Sequence, residues 1–145
     1  METSPDQPSH TIRLRGPWGC QFRPPRPSLA DCPEESQRIQ LPNDLASVIP
    51  LEFRGSLLLT RSFHQPSGID ASVQVELVGD CTYPALVRLN GQNLQTVPYT
   101  RFRHNVTAAL QRRNQLEIEL VIDAVGSMDQ PMCEVRLCIA PRRPE

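Results

Sequence analysis

"ALVRLNGQNL", residues 85 to 94, reads as a strand, a two-residue Asn-Gly turn and the start of a second strand. Both central residues of the tight hairpin turn need positive φ, and Asn-Gly is the pair that reaches it at least cost. Upstream, "ASVQVELVG" places Val73, Val75 and Leu77 on one face and Ser72, Gln74 and Glu76 on the other. Downstream, "QLEIELVID" repeats the two-residue period through Leu116, Ile118, Leu120 and Ile122, and "CEVRLCIA" repeats it through Val135, Leu137 and Ile139. Such alternation marks strands buried on one face, and strands of this kind build antiparallel sheets packed face to face. "SLLLTRSF" is more continuously apolar and predicts a central strand.

The helical candidate is "NVTAALQRR", where Asn105 can cap a turn or two. Many short strands, turn signals between them and almost no helix predict an all-β sandwich. The fold is expected as one domain over residues 10–140, with flexible ends at 1–9 and 141–145. A proline-rich loop is expected over 21–36, where "QFRPPRPSLADCPEES" lacks periodicity. Pro24, Pro25 and Pro27 would suit an extended recognition segment, but a connecting loop is the expected reading.

Composition narrows the chemistry. The 145 residues carry a formal net charge of −1, with 39% hydrophobic and 21% charged residues, as in an ordinary globular domain. Such a balance gives no general attraction for nucleic acid or anionic membranes, and neither is an expected partner. All fifteen basic residues are Arg, so neither Schiff-base chemistry nor a phosphate-loop lysine is available. No apolar run approaches the about eighteen residues that span a bilayer, and the start does not read as a secretory signal, so a cytoplasmic location is expected. In that setting the "NVT" sequon at Asn105 would not be glycosylated. Five cysteines, at 20, 32, 81, 133 and 138, show no C-x-x-C spacing and are expected as reduced thiols. A zinc site joining them to His10, His64 or His104 would have to be gathered from scattered segments.

Several segments, taken in order, resemble the N-terminal sugar-binding jelly-roll domain of family 2 glycoside hydrolases, the β-galactosidase and β-glucuronidase group. "RLRGPWGCQF" looks like the opening strand with Gly16 and Trp18, and "RIQLPNDL" like the strand leading to the turn at Pro42. "FRGSLLLTRSFHQP" is similar to the family's series through Phe53, Gly55, Arg61 and Phe63. "PALVRLNGQNL" and "PYTRFRHNVTAALQRRNQLEIELV" look like its hairpin and following strand, so the resemblance runs from about Ile12 to Ile122. It implies a galactose-binding-like jelly roll without catalytic activity, since the family's two catalytic carboxyl groups, held about 5 Å apart, lie in a separate barrel domain. Leu58 and Leu59 replace an aromatic pair usual in the family, and a sugar-contacting Asn of some members falls near Thr82.

The expected function is a non-catalytic carbohydrate-binding or interaction module that recognises its ligand with loop tips on a rigid scaffold. The alternative is a structural domain that docks on a protein, such as a separately encoded glycosidase, and binds no sugar. The candidate ligand-binding residues are Asp80, Thr82, Tyr83, Tyr99 and Arg101. Asp80, Thr82 and Tyr83 lie in a predicted loop, "GDCTYP", and Tyr99 and Arg101 in a predicted turn. Trp18 is a further ring, expected in the core, and Arg103 and His104 are further polar partners. Arg101, Arg103, Arg112 and Arg113 read as a solvated rim. No cofactor and no metal are expected. Cys81 beside His64 or His104 is the one nucleophile-and-base pairing to weigh, with a core cysteine as the ordinary reading. Asp123 and Asp129 could flank a structural calcium, though a solvated loop is the simpler expectation.

Overall fold

In the computed structural model, which describes residues 10–23, 37–41, 44, 45, 49, 55–69, 71–122 and 132–141, the alternating segments become strands with the predicted faces inward. The strands are β1 (His10–Arg13), β2 (Trp18–Arg23), β3 (Gln37–Ile39), β4 (Gly55–His64), β5 (Val73–Leu89), β6 (Gln92–Asn93), β7 (Tyr99–Asn105), β8 (Arg113–Ile122) and β9 (Cys133–Pro141). Leu116, Ile118, Leu120 and Ile122 are all buried along β8, and Val135, Leu137 and Ile139 along β9. The expectations for residues 1–9, 24–36, 123–131 and 142–145, including the Asp123 and Asp129 pair, fall outside the described residues. At the margins, β2 continues through Arg23, so Gln21 to Arg23 are strand rather than loop, and β9 takes in Pro141.

The all-β sandwich is built from one curled antiparallel sheet in the order β1-β9-β5-β8-β4-β2-β3, with β6 and β7 on the far edge of β5. The 17-residue β5 makes the curl. Glu76 pairs with Asn105 of β7 on one side and Cys138 of β9 on the other, whereas Ala85 pairs with Tyr99 of β7 and Leu120 of β8. One edge of β5 therefore serves β7 while the opposite edge serves first β9, up to Cys81, and then β8, from Ala85. The sheet divides at Thr82–Pro84 into two halves that share a strand, and their inner faces close over one core. β4 lies between β2 and β8, as its continuous apolar run predicted, with Leu57, Leu58 and Leu59 all buried.

"GDCTYP", read from sequence as a loop, is thus the middle of a strand. Proline is tolerated there because Pro84 sits at the change of partner, where no ladder hydrogen bond requires its missing N–H. Trp18 is fully buried, and its indole N–H donates to the Leu14 carbonyl at 2.7 Å. The predicted helix shrinks to a 3-10 turn, Thr107–Ala109, in which Asn105 Oδ1 accepts from Thr107 N at 3.0 Å. Past β3, the Leu45 carbonyl accepts from Ile49 N at 3.3 Å.

The Asn-Gly hairpin forms as predicted. Asn90 has φ 52° and Gly91 has φ 83°, and Leu89 pairs with Gln92 across the turn. Asn90 also does work that a turn residue need not do. Its Nδ2 donates to Ala109 O at 3.2 Å and to Asn114 Oδ1 at 3.0 Å, and its Oδ1 accepts from Gln115 N at 2.8 Å. Asn114, only 1% exposed, completes its own set with Gln111 N and O and the Phe63 carbonyl. A buried amide is stable only when satisfied in this way. The pair fastens the hairpin to β8 and to the 3-10 turn.

Candidate functional site

Position along β5 decides which candidate residues can meet a ligand, because successive side chains of a strand point to opposite faces. Odd-numbered residues, including Val75, Leu77, Cys81, Ala85, Val87 and Leu89, face the core. Asp80 and Thr82 consequently face outward, and Tyr83 turns inward, where it is 8% exposed and belongs to the core cluster. The Tyr83 ring, expected on a loop, is part of the packing. Opposite Asp80 stands Arg101 of β7, its Nε 3.6 Å from Asp80 Oδ1, with 82% of the Arg101 side chain in solvent. Tyr99, two residues earlier on the same strand, is 52% exposed. The structure thus sets Asp80, Thr82 and Arg101 on the outer side of two strands rather than on loop tips, places Tyr83 behind them, and leaves Tyr99 half exposed opposite Ala85, beyond the register shift that separates it from the Asp80–Arg101 pair.

Asp80 and Arg101 line an open depression of about 450 Å³ with Val78, Gly79, Phe102, Arg103 and Arg136. Two of its lining arginines are held by carboxylates that flank it. Arg103 Nη1 lies 2.6 Å from Glu76 Oε1 and Arg136 Nη1 lies 3.0 Å from Glu134 Oε1, while Glu134 stands beside Asp80 in the register. Planar guanidinium and carboxylate groups fixed by one another present donors and acceptors in set directions, which suits polyhydroxylated or anionic ligands. Sequence reasoning passed over Glu76, Glu134 and Arg136. The signal was available in "CEVRLC", where Glu134 and Arg136 occupy the polar phase of a strand whose apolar phase was read.

Thr82 is partly committed elsewhere, since its Oγ1 accepts from Met132 N at 2.8 Å. Behind the depression, the ring of Phe102 covers Gly79, its directly opposed partner, and stacks near His104 with ring centroids 6.0 Å apart. His104 Nε2 lies 2.6 Å from Gln95 Oε1. Because Gln95 Nε2 donates to the Ala85 and Val97 carbonyls, its oxygen faces the histidine, and His104 must be the donor. Burial holds the His104 imidazole below its ordinary 6.5.

The nucleophile-and-base pairing does not assemble: Cys81 contacts Cys133, His104 contacts Gln95, and His64 lies at the far end of β4 opposite Arg113. Leu59 points into the core and Leu58 outward but buried, so the pair replacing the family's aromatics offers no exposed platform. Arg61 occupies an inward phase between Leu59 and Phe63. Its Nη1 donates to the Ser62 carbonyl at 3.3 Å, its Nε has no partner among the described residues, and burial lowers its pKa. Among the described residues no group of three or more His, Cys, Asp and Glu could hold a metal, and no helix is long and apolar enough to cross a membrane. A larger depression, about 680 Å³, lies between β1, the Pro66–Gly68 turn and the end of β9, but its walls are mostly apolar and it includes none of the candidate residues.

Solved structures carry the same arrangement of strands. A β-glucuronidase from an uncultured Clostridium superposes with a TM-score of 0.69 at 15% identity, over 98% of this chain and 31% of its own. The chain has the fold of a β-glucuronidase domain. The Bifidobacterium dentium β-glucuronidase, solved with coumarin-3-O-glucuronide, matches at TM-score 0.65 and 20% identity, over 94% of this chain and 31% of that one. The Bacteroides uniformis enzyme matches at 0.66 and 20%, over 92% and 18%. The chain therefore spans about a third or less of the length of these structures. No family model and no curated protein matches it.

Proposed function

We propose that these residues form a non-catalytic carbohydrate-binding module of the family 2 glycoside hydrolase kind, with the outer face of β7, β5 and β9 as its ligand surface. The observation that carries this reading is the match of nearly the whole chain to part of enzymes that act on glucuronides. The arginine-and-carboxylate pairs support it, since they offer the paired donors and acceptors that sugar hydroxyls and uronate carboxylates take. The non-catalytic part of the reading rests on the match spanning about a third or less of those enzymes, and Asp80, Glu76 and Glu134 each stand beside an arginine on an open face. A retaining glycosidase instead needs two carboxyl groups facing each other across a sugar, about 5 Å apart.

Calorimetric titration and a glycan array with neutral and uronic-acid oligosaccharides test the reading. Binding is expected, with Arg101→Ala and Tyr99→Ala each weakening it about tenfold, a loss of about 1.4 kcal/mol, while leaving the melting temperature unchanged. Absence of binding at millimolar sugar would overturn it. The second reading, docking on a protein such as a separately encoded glycosidase, is favoured by Val97 and Tyr99, each about half exposed and close together in sequence. Retention of a glycosidase by the wild-type protein, lost in Val97→Asp, without any sugar binding would select it.

A further inference from the structure

Cys81 on β5 and Cys133 at the start of β9 stand directly opposite each other in the antiparallel register. The neighbouring pair is joined by hydrogen bonds, Thr82 N donating to Met132 O at 2.9 Å and Met132 N to Thr82 Oγ1 at 2.8 Å. Hydrogen-bonded and non-hydrogen-bonded pairs alternate along such a ladder, so Cys81 and Cys133 are a non-hydrogen-bonded pair, whose Cα atoms are typically about 4.5 Å apart. That spacing falls within the range a disulfide spans, about 4.4–6.8 Å. Both side chains point into the core, and their Sγ atoms already touch at 2.8 Å as free thiols. Among the described cysteines no other two are partners in the register: Cys20 stands opposite Gln37 and Leu59, and Cys138 opposite Thr11 and Glu76.

We propose that Cys81 and Cys133 form a redox site, converted to a cross-strand disulfide by a small-molecule disulfide of the glutathione class. In the first step one protein thiol loses its proton and attacks a sulfur of the oxidant, releasing one small thiolate and leaving a mixed disulfide. In the second the other protein thiolate attacks the protein-side sulfur and expels the second small thiolate. The two protein thiols are oxidised by two electrons, the reagent is reduced to two thiols, and the protons pass to them. In the closed ladder the reaction is held back. The hydrogen bond to Cys81 and burial raise the Cys133 thiol well above its ordinary range, and neither sulfur is open to solvent. Exchange therefore proceeds while the start of β9 is lifted from β5.

The bond would fasten β9 to β5 next to the point where β5 changes partner, beneath Asp80 and Thr82. It closes a loop between residues 52 apart in sequence. The full-length chain is incubated with oxidised glutathione under mild warming, alkylated in denaturant, and mapped by mass spectrometry beside a dithiothreitol-reduced sample. The expected result is a linked Cys81–Cys133 peptide and a melting temperature raised by about 10 °C, reversed by dithiothreitol. Cys133→Ala should abolish both. Full alkylation of Cys81 and Cys133, a stable glutathione adduct at either, or a link through another cysteine would overturn the proposal. The wild-type peptide map decides the matter even where a variant folds poorly.

Discussion

Gly79 is the residue most tightly bound to its identity. A Cβ at that position would collide with the outer edge of the Phe102 ring, which covers the bare backbone on the inner face of the β5–β7 pair. Gly79→Ala should lower stability by about 3 kcal/mol, the upper end of what overpacking costs, as read from urea unfolding. Phe102→Leu should recover part of that loss in the double variant, giving a non-additive cycle. His104 governs a milder effect. Its pKa is lowered in the folded state, so between that value and 6.5 the unfolded chain holds more protons than the native one. Its share of stability is thus full above pH 6.5 and declines as the pH falls below it. Melting temperature followed from pH 7.5 to 5 should drop in the wild type and drop less in His104→Gln.

The elements show what the sequence could and could not disclose. The inward sets of β8 and β9 were legible because burial on one face writes itself as a two-residue period. The β5–β6 turn was legible because few residue pairs accept positive φ twice. Alternation does not encode which edge a strand offers to which neighbour, however. The continuity of β5 through Pro84 was therefore hidden, and the candidate residues were placed on loops. Tyr83 illustrates the cost: in a loop its ring would have faced solvent, whereas the phase of a continuous strand turns it into the core. Asp80 and Arg101 keep their exposure because they hold the outward phase of adjoining strands. The Asn-Gly pattern discloses only the backbone role of Asn90, since its side-chain bonds to Ala109, Asn114 and Gln115 join segments that only the fold brings together. Asn90→Gly, which keeps the turn, should still cost about 2 kcal/mol, because Gln115 N loses its acceptor and Asn114 Oδ1 loses one of its two donors. Gly91→Ala, which strains the turn but leaves those bonds, should cost about 1 kcal/mol, and chemical denaturation of the two variants separates the contributions.

At the scale of the whole molecule, nearly all the pairing is long-range: β2 with β4, β4 with β8, β5 with β9 and β1 with β9. Loop closure must precede each of these contacts, so refolding should take milliseconds to seconds rather than microseconds. Stopped-flow fluorescence of Trp18, the single tryptophan and fully buried, reads this directly, and a sub-millisecond single phase would contradict it.

The pairing of β1 with β9 has a consequence for how the domain can be wired. His10 lies across from Ile139 and Arg13 from Arg136, so the outer ends of the first and last strands meet at one corner of the sheet. Polypeptide attached before β1 and polypeptide attached after β9 would leave side by side. A unit with that geometry can be spliced into a surface loop of a host protein like a bead on a bent wire, since entry and exit need no separation. The same corner would let the ends be joined and the chain reopened at Gly91, giving a circular permutant with every sheet neighbour retained.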